Sequence, residues 1–132
     1  MELNRVYLDN AATTPVKPEI LESMLDFYKE GYGNPSSIHS FGREVKSHID
    51  IARENVANLL NASAKEIYFT GGGSEADNWA IKGIALRYMN QDKHIITTEI
   101  EHHAVLDTCK YLEKNHGFKV TYLKIKENGI ID

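Results

Sequence analysis

Over the first sixty residues the apolar positions recur mainly at helical spacing, and from residue 67 onward they fall into short runs broken by glycine and polar turns. Val6-Tyr7-Leu8 reads as a short strand, followed by the polar, small-residue turn Asp9-Asn10-Ala11-Ala12-Thr13-Thr14-Pro15. Pro18 suits the first turn of a helix whose Ile20, Leu21, Met24, Leu25 and Tyr28 share a face, with Gly31 as a fitting stop. Gly33-Asn34-Pro35-Ser36-Ser37 is a loop signal ending in a helix cap. Beyond it Ile38, Phe41, Val45, Ile49, Ala52, Val56 and Leu59 step by three or four residues, which predicts a long helix.

The second half carries a different rhythm. Ile67-Tyr68-Phe69-Thr70 is a short buried-strand pattern, Gly71-Gly72-Gly73-Ser74 a glycine turn, and Ala76 to Met89 a helix. A second strand is expected over His94-Ile95-Ile96-Thr97, a helix over Ala104 to Asn115, and a third strand over Lys119 to Ile125. Strand, helix, strand, helix, strand predicts an α/β fold with right-handed crossovers and a largely parallel sheet, preceded by two helices. Asn128-Gly129 marks a turn, and the sequence stops at Asp132 with no helix to close a third crossover, so a truncated domain is expected.

Composition narrows the class without naming a chemistry. With 132 residues, 42% of them hydrophobic and 26% charged, the chain has the make-up of one globular domain. A net charge of −4, with its cations scattered among acids, gives no electrostatic reason to expect nucleic acid or an anionic membrane as partner. The single cysteine, Cys109, excludes an internal disulfide and a multi-cysteine metal site, and fits a reducing cytoplasm. No metal site is expected. The N-terminus lacks an apolar signal core and no run reaches membrane-spanning length, so a cytoplasmic protein, or a piece of one, is expected.

Two segments carry chemistry. In Phe69-Thr70-Gly71-Gly72-Gly73-Ser74-Glu75-Ala76-Asp77-Asn78 three glycines let the backbone turn sharply and approach a ligand. The helix that follows offers unpaired N–H groups and the positive end of its dipole, and Ser74 adds a hydroxyl. These features suit a phosphate, and equally a plain helix cap in which Ser74 and Asp77 form a capping box. The glycine spacing matches neither a dinucleotide fingerprint nor a Walker loop. The second segment, Thr98-Glu99-Ile100-Glu101-His102-His103, ends the second strand, on the sheet edge where parallel α/β folds bind ligands. Its histidines suit acid–base work or stacking, or simply open a helix at the surface. Helical geometry turns successive residues about 100° apart, so only one of the pair can face the crevice. Cys109, six residues into that helix, has no source of a lowered pKa and reads as a small buried hydrophobe.

Four pieces together resemble the cysteine desulfurases (NifS-like) of the class V aminotransferase group. They are Tyr7 to Pro15, Gly33 to Ser37, Phe69 to Asn78, and Glu101-His102-His103-Ala104-Val105-Leu106-Asp107-Thr108-Cys109, in family order across nearly the whole chain. The resemblance implies the N-terminal part of a fold-type I transferase that uses pyridoxal 5′-phosphate (PLP). It assigns residues 1–15 to an N-terminal arm at the substrate pocket and residues 16–132 to the first part of the large cofactor-binding domain. It implies that Gly73 and Ser74 hold the cofactor phosphate, Ser74 standing where the family more often has threonine. It places His102 over the pyridine ring as a proton-transfer group, leaves His103 out of catalysis, and sets Asn10, Ala11 and Ala12 in the substrate pocket. It further implies a homodimer, with Asn34 and its loop near the dimer interface, that takes sulfur from L-cysteine, leaves L-alanine, and passes an enzyme persulfide to an acceptor such as an iron–sulfur scaffold.

The family binds its cofactor through a lysine in a Ser-x-His-Lys stretch, and these 132 residues contain none. Cys109 does not match the family's loop nucleophile, and the acid facing the pyridine nitrogen also lies later in the family. All three are expected beyond Asp132, so this segment alone is expected to be inactive. The competing expectations are a non-catalytic binding or dimerisation half of a split protein, a related lyase of the same group, and a generic nucleotide-binding module, which the glycine spacing disfavours.

Overall fold

A computed structural model of the chain describes residues 5–91 and 93–131. The first four residues of the arm expected over 1–15, together with Asp92 and Asp132, lie outside the described residues. The chain divides into two compact units between Tyr68 and Phe69.

The first unit is helical. α1 spans Pro18–Lys29, with proline in its first turn where the missing N–H costs no bond. None of its residues is buried, and its apolar stripe from Ile20 to Tyr28 stands 40–78% exposed. α2 spans Ser40–Leu59 and starts later than the Ser36-Ser37 cap expected from sequence. His39 is its N-cap, with Nδ1 accepting from the Gly42 N–H at 3.4 Å, while Ser36 instead donates its N–H to Asn34 Oδ1. Gly42 is buried because the 34–37 loop lies on it: the Asn34 and Ser37 carbonyl oxygens leave no room for a Cβ. A short 3-10 turn, Ala64–Glu66, was not expected; it is fixed by a capping box in which Glu66 accepts the Ser63 N–H at 2.7 Å.

Two of the expected strands do not form. Val6-Tyr7-Leu8 is irregular, and Ile67 to Thr70 is part of no strand among the described residues although Ile67 is extended. Both runs have strand-like composition, which suits a pleated surface but does not by itself make a strand.

The second unit has the expected α/β order. α3 spans Gly73–Arg87, β1 His94–Thr98, α4 His103–His116 and β2 Lys119–Leu123. β1 and β2 pair in parallel, His94 opposite Lys119 through Thr98 opposite Leu123, so α4 is the crossover between them. α4 ends at Gly117, whose φ of 69° is the left-handed cap that glycine adopts without a Cβ penalty. The core is Ala85 of α3, Leu112 of α4 and Phe118 ahead of β2, with Ile81, Met89 and Ile95 packed against them. β2 ends two residues short of the expected Ile125, which instead makes an isolated antiparallel bridge to Ile131 around the Asn128-Gly129 turn. No helix among the described residues is long and apolar enough to cross a membrane.

Candidate functional site

The glycine segment is held in shape by its own side chains. Thr70 Oγ1 donates to the Gly72 carbonyl at 3.1 Å, and the Gly71 N–H donates to Glu75 Oε2 at 2.6 Å. That bond draws the one carboxylate of the first turn of α3 back onto the backbone. The first helical bond runs from the Ala76 N–H to the Gly72 carbonyl, and Gly72, the N-cap, brings no side-chain acceptor. Among the described residues, the N–H groups of Gly73, Ser74 and Glu75 therefore have no backbone acceptor, and the Ser74 hydroxyl has no partner. The alternative of a Ser74–Asp77 capping box is not formed, since Gly72 is the N-cap and Ser74 is the second residue of the helix.

The glycines serve space rather than turning. Gly72 is extended at φ 166°, a conformation open to any residue. A Cβ at Gly72 or at Gly73 would meet nothing within 4 Å. The chain's own packing gives no reason for glycine at either position, and what glycine leaves there is open room beside three free N–H donors. An anion can approach closely where side chains would otherwise intervene.

The histidine pair is arranged differently from the helical expectation. His102 lies outside the helix as the N-cap of α4, with φ −59° and ψ 148°, and only His103 is helical. The two backbones have different conformations, so the 100° helical step does not set the directions of their rings. His102 Nδ1 accepts the Ala104 N–H at 3.1 Å. In the neutral ring this leaves the proton on Nε2, which has no hydrogen-bond partner among the described residues. His103 is 84% exposed at its side chain, with Nδ1 3.9 Å from Asp107.

Ser74 and His102 meet at one open cleft of about 380 Å³, lined also by Asn78, Lys82, His103 and Thr108. Asn78 joins its two walls. Its Nδ2 donates to the Ser74 carbonyl at 2.9 Å and to the Ala104 carbonyl at 3.4 Å, while its Oδ1 accepts from Thr108 Oγ1 at 2.8 Å. Sequence reasoning quoted Asn78 and Thr108 within their motifs but gave them no role. Asn78 stands four residues after Ser74 on one helical face, which was readable; its bond to a residue thirty positions away was not.

Cys109 is 1% exposed, and burial pushes its thiol up, with the Glu101 carboxylate adding to the rise. This matches the buried-hydrophobe expectation. Asn10, Ala11 and Ala12 form an exposed turn of the first unit, closed by the Ala12 N–H on the Asp9 carbonyl at 3.1 Å. A larger cleft of about 570 Å³ in the first unit holds none of the expected site residues. Its Arg53 is engaged by Asp50 at 2.9 Å and by the Ile67 carbonyl at 3.2 Å. Among the described residues, no group of three or more potential metal ligands converges.

Both the sequence and the fold of the chain are shared with known proteins. Residues 6–132 match the aminotransferase class-V family, and the chain belongs to it. It is 57% identical over 127 residues to a cysteine desulfurase IscS of Clostridium botulinum, covering 96% of this chain and 32% of that protein. A cysteine desulfurase IscS of Methanosarcina thermophila is 53% identical over 130 residues, covering 98% and 32%. Among solved structures, a NifS-like protein superimposes with a TM-score of 0.92 at 47% identity, covering 97% of this chain and 35% of its own. The chain spans about a third of the length of the curated relatives it matches.

Proposed function

We propose that this chain is the N-terminal portion of a PLP-dependent cysteine desulfurase, acting in the cytoplasm as a homodimer. On this reading the whole protein removes sulfur from L-cysteine, leaves L-alanine, and delivers the sulfur as an enzyme persulfide to an acceptor such as an iron–sulfur scaffold. The relatives of this name and a further solved structure, SspA in complex with cysteine (45% identical, TM-score 0.84), support the substrate class.

The observation that carries the reading is the cleft itself, with Ser74 of the donor-rich start of α3 on one wall and His102 on the other. The residues fit the cofactor. A phosphate dianion suits three unpaired N–H donors, a free Ser74 hydroxyl, and room beside Gly72 and Gly73 that no Cβ fills. Glu75, drawn back onto the Gly71 N–H, is held by its own bond and adds one point of order to the loop.

Bound there, PLP supplies an electron sink for the negative charge developed on the substrate. The chain's own residues do the rest. Gly73 and Ser74 hold the phosphate and so fix where the cofactor lies. His102, with Nδ1 committed to the Ala104 N–H, presents a flat ring and a single exchangeable proton on Nε2, which it can hold or move during turnover. Asn10, Ala11 and Ala12, in the arm over residues 1–15, line the substrate pocket.

The test is alanine formation by the full-length protein with PLP. Stoichiometric alanine from L-cysteine, with sulfur retained on the protein in the absence of a reductant, supports the proposal. PLP retained without alanine formation would overturn the desulfurase assignment while leaving the cofactor site standing.

A further inference from the structure

Asn78 makes three bonds to two helices from a single side-chain amide. Their polarity fixes its orientation. The Nδ2 group faces two carbonyl oxygens, of Ser74 and Ala104, and Oδ1 faces the Thr108 hydroxyl. A flipped amide would set Oδ1 against both carbonyl oxygens, so only one orientation satisfies all three contacts. Thr108, whose hydroxyl donates to the Oδ1 that this orientation presents, is 3% exposed.

The placement of these bonds matters more than their number. Ser74 is in the first turn of α3, whose N–H groups are free, and Ala104 is in the first turn of α4. The N–H of Ala104 donates to His102 Nδ1, and those of Val105 and Leu106 donate to the His102 carbonyl at 2.9 and 3.1 Å. Asn78 therefore grips the turn that holds His102 on both its ring and its backbone. The same amide grips the turn that carries Ser74.

We infer that Asn78, locked by Thr108, is a positioning residue that sets His102 against the helix start carrying Ser74, so that a group anchored at one is in register with the proton carrier at the other. The catalytic part of this inference rests on the desulfurase reading above; the clamp itself does not. Asn78 reaches the reacting groups only through the backbone of Ser74 and Ala104.

The experiment uses the full-length protein with Asn78→Asp, Thr108→Val and Thr108→Ser. Asn78→Asp keeps the shape but turns a donor into an oxygen facing two carbonyls; Thr108→Val removes the hydroxyl that anchors Oδ1; Thr108→Ser keeps it. In the cofactor-free protein, amide hydrogen exchange at Ala104, Val105 and Leu106 is expected to speed up roughly tenfold or more in Asn78→Asp and Thr108→Val, the scale of losing one or two hydrogen bonds. Exchange at the core residue Leu112 stays as in the parent, and Thr108→Ser restores slow exchange at all three sites. With saturating PLP and L-cysteine, kcat for alanine is expected to fall about tenfold or more in the first two variants with KM little changed, and to recover in Thr108→Ser. Unchanged exchange at 104–106 in Thr108→Val would overturn the clamp, whatever the enzyme does. Faster exchange with unchanged kcat in an active parent would overturn the positioning role. A parent that forms no alanine defeats the desulfurase reading alone, because the exchange arm still decides the clamp.

Discussion

Replacing His102 tests two roles of one side chain, the helix cap seen in the structure and the proton transfer proposed for it. As N-cap of α4 its Nδ1 accepts the Ala104 N–H at 3.1 Å. His102 is exposed, so water can take over that donor when the ring is removed. The capping loss in His102→Ala should therefore be about 0.5–1 kcal/mol, the low end of the range for lost caps. In a protein of several hundred residues that lowers Tm by less than about 4 °C. Loss of a general acid–base group costs roughly 10²–10⁴ in turnover, or about 2.7–5.4 kcal/mol of transition-state stabilisation, several times the cap. His102→Asn separates the two, because asparagine is among the best N-caps and cannot carry a proton in this range. In the full-length enzyme we expect His102→Asn to regain the parent's Tm while its rate of alanine formation stays down with that of His102→Ala. His103→Ala, at a side chain 84% exposed and 3.9 Å from Asp107, should shift stability by no more than about 0.5 kcal/mol and leave turnover near the parent's. Near-normal turnover in His102→Asn, or equal losses at positions 102 and 103, would refute the proton-transfer assignment.

The 132 residues by themselves, which contain no Ser-x-His-Lys stretch, should release no alanine from L-cysteine above the rate of free PLP; release above that rate would refute the dependence on the missing lysine. Leu112→Ala empties a fully buried position against Ala85 and Phe118 and should cost about 2–5 kcal/mol, measured by denaturant unfolding. The Cys109 thiol is raised first by burial and then by Glu101, so the folded state favours the protonated form more than the unfolded state does. Its contribution to stability is complete below the unfolded thiol's pKa and is lost as pH climbs through the higher folded value. Labelling by a thiol reagent at neutral pH should thus be slow in native protein, and Cys109→Ala should flatten the decline in stability above roughly pH 8.5; rapid native labelling at pH 7 would contradict the burial.

Local and near-local features were legible in the sequence. α1 through α4 follow from helical spacing and from proline and glycine punctuation, and the parallel pairing of β1 with β2 follows from the crossover pattern. The misread positions were those where a partner distant in sequence, or one competing nearby, decides the outcome. Ile67 to Thr70 has strand composition but is part of no strand among the described residues. The Ser36 N–H closes a turn on Asn34 Oδ1, the helix begins only at Ser40, and His39 is its cap. A histidine cap at His102 runs against the usual serine, threonine and aspartate preference, which is why the pair looked like two helical residues. The motifs singled out Gly73, Ser74 and His102, of which Ser74 and His102 line one cleft, whereas the Asn78–Thr108 bond that joins its walls became visible only once α3 and α4 were packed.

The central claim, that the start of α3 holds the phosphate of PLP, is tested most directly by equilibrium dialysis of PLP against the full-length protein and its Ser74→Ala variant. Loss of a hydroxyl bond to a charged phosphate should cost roughly 1.5–3 kcal/mol, a ten- to hundredfold weaker affinity. Ser74→Thr, which keeps the hydroxyl, should bind as the parent does. Equal affinity in Ser74→Ala would contradict the account and return Ser74 to the role of an ordinary first-turn helical residue.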